Sequence, residues 1–322
     1  MEIIRLQHPY HKEQIPKQKI VLALGFFDGV HRGHQAVIRR AKEEAQKRGV
    51  PLAVMTFNQH PKILYRNLQA EDVQYLTLLE RKLELLRALA VDYLFLVDYT
   101  LDFGKQSPQS FVDDYIVGLN AIAVVAGFDY TYGKKALANM ETLPVHAKER
   151  FDVIEVPELI VDEQKVGSSN IKTLIETNHI ENANRELGYA YQTSGVVVHG
   201  DKRGRTIGYP TANVQINPQE VLPSVGVYVV RIFVDGTWYQ GMASIGYNIT
   251  FEANRRKTCE VYILDFDRDI YGYHVRVEWL SYLRNEMKFS GIDGLVAQLD
   301  ADLLQTREYF ERNGYGEQNG VG

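Results

Sequence analysis

Up to about residue 160, short apolar runs alternate with stretches whose apolar residues recur every three or four positions. Residues 19–25 (KIVLALG), 52–57, 93–97, 122–126 and 153–156 are short, nearly continuous apolar runs and read as buried strands. Between them, residues 33–49 read as a helix that Gly49 terminates. Residues 78–90 read as an amphipathic helix with Leu79, Leu83, Leu86 and Ala90 on one face. Ser107-Pro108 opens a third helix reaching about residue 118, since proline at the first helical position sacrifices no hydrogen bond. Strands alternating with helices predict right-handed crossovers, a mostly parallel sheet, and ligands bound outside the carboxyl ends of its strands.

Beyond residue 187 the pattern becomes strand after strand: residues 196–199, 225–234, 238–245, 260–266 and 274–280. Asp235-Gly236 between two of them is a hairpin signal, because both residues tolerate positive φ. A final helix over 292–310 carries Leu295, Leu299 and Leu303 at helical spacing. These features predict an all-β unit, a small barrel or a sandwich, with one covering helix. Residues 171–188 (IKTLIETNHIENANRELG) read as a helical junction, which sets the expected domains at 1–186 and 187–322, with a frayed tail from Asn313.

Composition narrows the class. A chain of 322 residues suggests about two domains. With 45% hydrophobic and 24% charged residues it is neither disordered, nor collagen, nor a coiled coil. Its apolar runs fall far short of the roughly 18 residues a membrane span needs, and the first residues lack a secretory h-region. A cytoplasmic protein without a membrane partner is expected, monomeric by default. Net charge is −5, and basic against acidic residues number 23 to 25 before residue 187 and 13 to 16 after it. Neither part is basic, so no nucleic-acid partner is expected. The single cysteine, Cys259, excludes an internal disulfide and a cysteine-based zinc site.

Two segments carry chemistry. The first strand runs through Gly25-Phe26-Phe27-Asp28-Gly29-Val30-His31-Arg32-Gly33-His34 straight into a helix. A strand, a glycine-containing turn and a helix N-terminus form a phosphate site, with backbone N–H groups and the helix dipole facing the anion. His31 and His34 are three residues apart and face one ligand, while Gly33 leaves room for a phosphate. The second segment is 195–213, GVVVHGDKRGRTIGYPTAN. Gly200, Gly204 and Gly208 permit close backbone approach, and Lys202, Arg203 and Arg205 neutralise phosphate. Thr211 and Asn213, two apart in extended chain, point the same way and offer hard oxygens to Mg²⁺.

GFFDGVHRGH resembles the HxGH signature of the nucleotidylyltransferases, in the form found in bacterial bifunctional riboflavin kinase/FAD synthetases. Thr56-Phe57-Asn58-Gln59-His60-Pro61, Gly127-Phe128-Asp129-Tyr130-Thr131-Tyr132-Gly133 and Gly167-Ser168-Ser169-Asn170-Ile171-Lys172 follow in the family's order. Downstream, GDxRGRxxGxPTAN resembles the riboflavin kinase signature, and Cys259-Glu260-Val261-Tyr262 and Leu283-Arg284-Asn285-Glu286 match later segments.

The resemblance implies a Rossmann-like nucleotidylyltransferase sheet followed by a small β-barrel. It also implies ATP as co-substrate with Mg²⁺, phosphorylation of riboflavin to FMN in the C-terminal part, and adenylylation of FMN to FAD in the N-terminal part. By the same resemblance His31 and His34 contact the ATP phosphates. Gly25, Phe27, Asp28, Gly33, Asn58, Asp129, Ser168, Ser169 and Lys172 complete the first nucleotide site. Glu260 is the kinase's base, Thr211 and Asn213 hold the metal, and Gly200, Lys202, Gly204, Arg205, Gly208 and Pro210 hold nucleotide. Arg284 and Glu286 contact the flavin.

The sequence departs from the pattern at Lys172 (arginine in the family), at Asn58-Gln59, at Ala136 and Ala138, and at Ile249 in Gly246-Tyr247-Asn248-Ile249-Thr250-Phe251, where proline is usual. Lysine at 172 keeps the charge but not the planar fork. A kinase with weak adenylylation and a non-catalytic flavin- or nucleotide-binding regulator are the alternatives.

Overall fold

The structure, a computed structural model, describes residues 1–65, 73–161, 164–200, 203–247 and 257–314. They pack as two compact units, Met1–Ser168 and Ser169–Gly322. The expected boundary at residue 186 is the penultimate residue of a helix that packs with the second unit.

In the first unit the chain runs β1 (Glu2–Leu6), β2 (Ile20–Leu24), α1 (Arg32–Arg48), β3 (Leu52–Phe57), α2 (Lys62–Tyr65), α3 (Leu79–Ala88) and β4 (Tyr93–Val97). It continues through α4 (Leu101–Gly104), α5 (Pro108–Val112), β5 (Ala121–Gly127), α6 (Leu143–Ala147), β6 (Asp152–Val156) and a two-strand hairpin, β7 (Ile160–Val161) with β8 (Gln164–Lys165). Six strands form one parallel sheet in the order β1-β4-β3-β2-β5-β6. All five residues of β2 are buried, as a central strand covered on both faces requires. One face carries Ile20, Leu22, Leu24 and Phe95, the other Val21, Ala23, Val54 and Leu94.

Gly49 ends α1 in the left-handed conformation, and the Ser107 hydroxyl accepts from the Ser110 N–H ahead of Pro108. The third helix does not stay regular to residue 118, because Asp113–Val117 widens into a π turn. Strand order reverses between β2 and β5, so their carboxyl ends form the topological switch point, where open α/β sheets bind ligands.

The second unit begins with α7 (Ser168–Glu176, whose first residue closes the first unit) and α8 (Ile180–Leu187). β9 (Tyr191–Val198), β10 (Thr211–Ile216), β11 (Gly226–Val234), β12 (Thr237–Tyr247), β13 (Lys257–Ile263), β14 (His274–Arg284) and α9 (Ile292–Arg312) follow. The strands close an antiparallel barrel, β10-β13-β12-β11-β14-β9, with β9 pairing β10. Of the barrel and the sandwich, the barrel is the one formed.

Asp235 (φ 49°) and Gly236 (φ 84°) make the expected two-residue turn between Val234 and Thr237. Trp279, fully buried, donates its indole N–H to Thr193 Oγ1 at 3.0 Å. Tyr191 and Tyr228 are likewise core residues with bonded hydroxyls, donating to Val221 O and to Ser224 O. Asn184 on α8 donates to Trp279 O at 2.8 Å, which helps tie the junction helices to the barrel. Among the described residues no helix is long and apolar enough to cross a membrane.

Candidate active sites

The loop after β2 is built by backbone strain held from behind. Phe27 (φ 56°), Gly29 (φ 78°) and Val30 (φ 36°) all have positive φ, which a short turn into α1 imposes. Asp28, 4% exposed, accepts from the Leu76 N–H (2.8 Å) and the Thr77 N–H (3.2 Å), and Gly29 N donates to Thr77 Oγ1 (2.9 Å). The Asp28 carboxylate therefore braces the loop. From the other side, the Ser168 hydroxyl donates to Asp28 O at 2.9 Å.

His31 is the N-cap of α1, its Nδ1 accepting from the His34 N–H at 3.4 Å. The two imidazoles stack 3.6 Å apart, with Phe27 edge-on to His34. Burial lowers the His31 pKa to about 4 against the pull of Asp28 and Asp129. Burial above all, with the neighbouring His31 and Lys82, holds His34 well below the usual histidine range. Both rings are neutral near pH 7, and buried His34 Nδ1 has no hydrogen-bond partner.

A cavity of about 240 Å³ opens at the switch point, lined by Gly25, His31, Gly33, His34, Asp129 and Ser168, among others. Lys165 of β8 closes one side, 3.3 Å from Asp129 and 4.2 Å over the Phe128 ring. Gly25 has its own reason: a Cβ there would strike the Phe27 ring. At Gly33 a Cβ would sit 3.2 Å from the His31 ring. Asn58 is not on this wall; it accepts from the Tyr99 N–H at 3.0 Å. Ser169 and Lys172 follow on α7, Lys172 one turn after Ser168.

In the barrel, Asn213 of β10 lies directly opposite Glu260 of β13, and Thr211 opposite Tyr262. The Thr211 hydroxyl donates to Glu260 Oε2 at 3.1 Å. Residues 49 apart in sequence thus meet because the barrel pairs their strands. The glycine loop is shaped by what touches it. A Cβ on Gly200 would run into the Asn213 amide, one on Gly204 into the Tyr209 carbonyl, and Gly208 has φ 83°. Arg203–Ile207 forms a 3₁₀ turn, from which Arg205 donates to Tyr271 Oη at 3.2 Å. Arg205, Pro210, Thr211 and Tyr271 line a cavity of about 550 Å³.

Arg284 is placed elsewhere, forking onto Asp302 of α9 (2.6 and 2.8 Å), whose residue is 1% exposed. Glu286 is exposed in the loop after β14. Lys202 and the segment 248–251 lie outside the described residues. Sequence reasoning missed Lys82, Thr77, Lys165 and Tyr271. Of these, Lys82 had a legible signal: it falls on the apolar face, three residues after Leu79 and four before Leu86.

Known families match the two units in this order. The FAD synthetase family matches residues 13–170 and the riboflavin kinase family residues 187–310. The bifunctional riboflavin kinase/FMN adenylyltransferase of Listeria monocytogenes is 47% identical over 312 residues, covering 97% of this chain and 99% of its own. That of Bacillus subtilis is 41% identical, covering 96% and 98%. A crystal structure described as a macrolide-efflux protein from Streptococcus pneumoniae matches with TM-score 0.87 at 37% identity, covering 94% of this chain and 99% of that one. With one family's region ending in the first turn of α7 and the other's spanning the barrel, the chain belongs to the bifunctional riboflavin kinase/FMN adenylyltransferases.

Proposed function

We propose that the second unit phosphorylates riboflavin to FMN and the first adenylylates FMN to FAD, each using one ATP. The observation that carries the residue assignment is the convergence of Thr211, Asn213 and Glu260 on adjacent strands beside the glycine loop. In the kinase step the riboflavin 5′-hydroxyl oxygen bonds to the γ-phosphorus. The bond to the β–γ bridging oxygen breaks, ADP leaves, and the hydroxyl proton passes to the Glu260 carboxylate. Gly200, Gly204 and Gly208 let the backbone approach the phosphates, and Lys202 and Arg205 add positive charge.

Thr211 Oγ1 and Asn213 Oδ1 are hard donors that fit Mg²⁺, and the close packing of Gly200 on the Asn213 amide supports a fixed ligand there. Bound Mg²⁺ would neutralise charge on the transferring phosphate. In the adenylylation step a phosphate oxygen of FMN bonds to the α-phosphorus of ATP and pyrophosphate leaves. Neutral His31 and His34 offer N–H donors to the phosphates, Ser168 lines the same cavity, and the family resemblance assigns Ser169 and Lys172 to the pyrophosphate. This chemistry involves free small molecules, so we read the protein as a cytoplasmic monomer independent of nucleic acid, which the net charge of −5 supports.

Incubation with riboflavin, ATP and Mg²⁺, with the flavins separated by chromatography, is expected to yield FMN and then FAD. Glu260→Ala abolishes FMN formation while FAD still forms from added FMN, and His31→Ala with His34→Ala does the converse. Loss of both activities in either variant overturns the two-site reading, and FMN without FAD in the unaltered chain favours a kinase alone.

A further inference from the structure

Lys82 is charged by type yet only 3% exposed, and it lies on α3 behind the phosphate loop rather than in the cavity. A buried ammonium needs partners, and the nearest is a carbonyl: Nζ donates to Phe26 O at 2.9 Å. It also sits 4.2 Å over the Phe26 ring. The same carbonyl accepts from Thr56 Oγ1 of β3 at 2.8 Å. Phe26 directly precedes the positive-φ residue Phe27, whose ring packs on His34. Two contacts and one peptide bond thus link Lys82 to the histidine pair.

We propose that Lys82 is a positioning residue for adenylyl transfer: its buried ammonium pins the Phe26 carbonyl, fixes the strained loop, and sets the charge behind His31 and His34. This rests on the assignment of adenylylation to that loop. Lys82 touches no substrate. It faces Asp28 from the loop, His34 from α1 and Thr56 from β3, while Tyr75 and His60 pack on Phe26 as well. Asp129 and Lys165 pair at the front of the cavity, and Arg81 pairs with Glu84 on Lys82's own helix.

Burial lowers the Lys82 pKa to about 8, with Asp28 opposing. The ammonium therefore loses its proton near pH 8. Neutral Lys82 retains one donor for Phe26 O but loses the charge that favours a polyanion on the far side of the loop.

The test is the pH profile of kcat/KM for ATP in FMN adenylylation, which reports groups of the free enzyme. The unaltered chain should show an alkaline limb near pH 8. Lys82→Met should lower the rate at neutral pH about tenfold and abolish the limb. Lys82→Arg should keep more of the rate than Lys82→Met and remain flat past the limb, because a guanidinium stays charged. Riboflavin phosphorylation should be unchanged in both variants.

A limb that persists in a folded variant overturns the proposal. So does a profile in the unaltered chain that is flat between about pH 7 and about pH 9, a result that needs no variant to fold. His31→Ala with His34→Ala serves as the reference. If that pair leaves adenylylation intact, the site assignment itself fails; if it abolishes adenylylation while the Lys82 limb is missing, only the positioning role fails.

Discussion

Buried ionisable side chains do different work in the two units. His31 and His34 are kept neutral by burial, which leaves each ring an N–H to donate to the phosphate proposed for that site. Lys82 keeps its charge through a carbonyl, a ring face and a nearby carboxylate. Glu220, 4% exposed, accepts from the Ser194 N–H at 2.8 Å and the Ser194 hydroxyl at 3.1 Å. Even so, burial outweighs these bonds and pushes its pKa up to about 7.

The folded state therefore binds this proton more tightly than the unfolded state, where a glutamate titrates at about 4.3. Between those two values the native chain holds more protons, so Glu220 makes stability fall as pH rises through the window and level off above it. Glu220→Gln is expected to remove that decline, about 1–3 kcal/mol across the window. Urea midpoints measured from about pH 5 to about pH 8 for both proteins check this; parallel curves would count against it.

Elements decide whether these residues meet. The strand-to-helix turn after β2 and the glycine loop before β10 are each shaped by close backbone contacts. At Gly200 the Asn213 amide fills the space of a Cβ. Gly200→Ala must push the Asn213 side-chain amide aside, on the residue paired with Glu260. Riboflavin phosphorylation is expected to fall at least about tenfold, with FAD formation from added FMN unchanged. Coupled assays on the one variant measure both.

The elements were unevenly legible. β2 through β5 stood out because strands covered on both faces read as apolar runs, whereas β6, an edge strand with no fully buried residue, was legible only from its Val-Ile-Glu-Val pattern. β1 did not, since it is a five-residue edge strand with an exposed-to-buried alternation and no helix leading to β2. β10 was visible only as extended chain: four of its six residues are half-buried and only Val214 is buried. The covering helix was placed correctly, but its attachment was not foreseen. Few α9 residues are buried, and Asp302 with Arg284, and Arg307 with Asp265, help hold it.

Each unit has its own core and its own set of paired strands, which should let the two proposed sites be altered independently. A mixture of the Glu260→Ala chain and the His31→Ala, His34→Ala chain should therefore make FAD from riboflavin, after a lag while released FMN accumulates. Chromatography of the mixture and of each variant alone checks this. FAD missing from the mixture would mean that FMN does not pass between chains.

By itself the sequence determined the two-unit order, the elements with strong periodicity and the Asp-Gly turn, and it marked both segments proposed to bind phosphate. These are local properties, written in residue spacing and in glycines that only a turn or a close approach explains. The tertiary structure decided which distant side chains face one another. It set Thr211 against Glu260, turned Arg284 to Asp302, and tied α7 and α8 into the second unit. It also buried Lys82 beneath a loop more than fifty residues earlier. Spacing cannot foresee such pairings, because a side chain's direction is fixed by its own element but its partner is supplied by whichever strand or helix packs there.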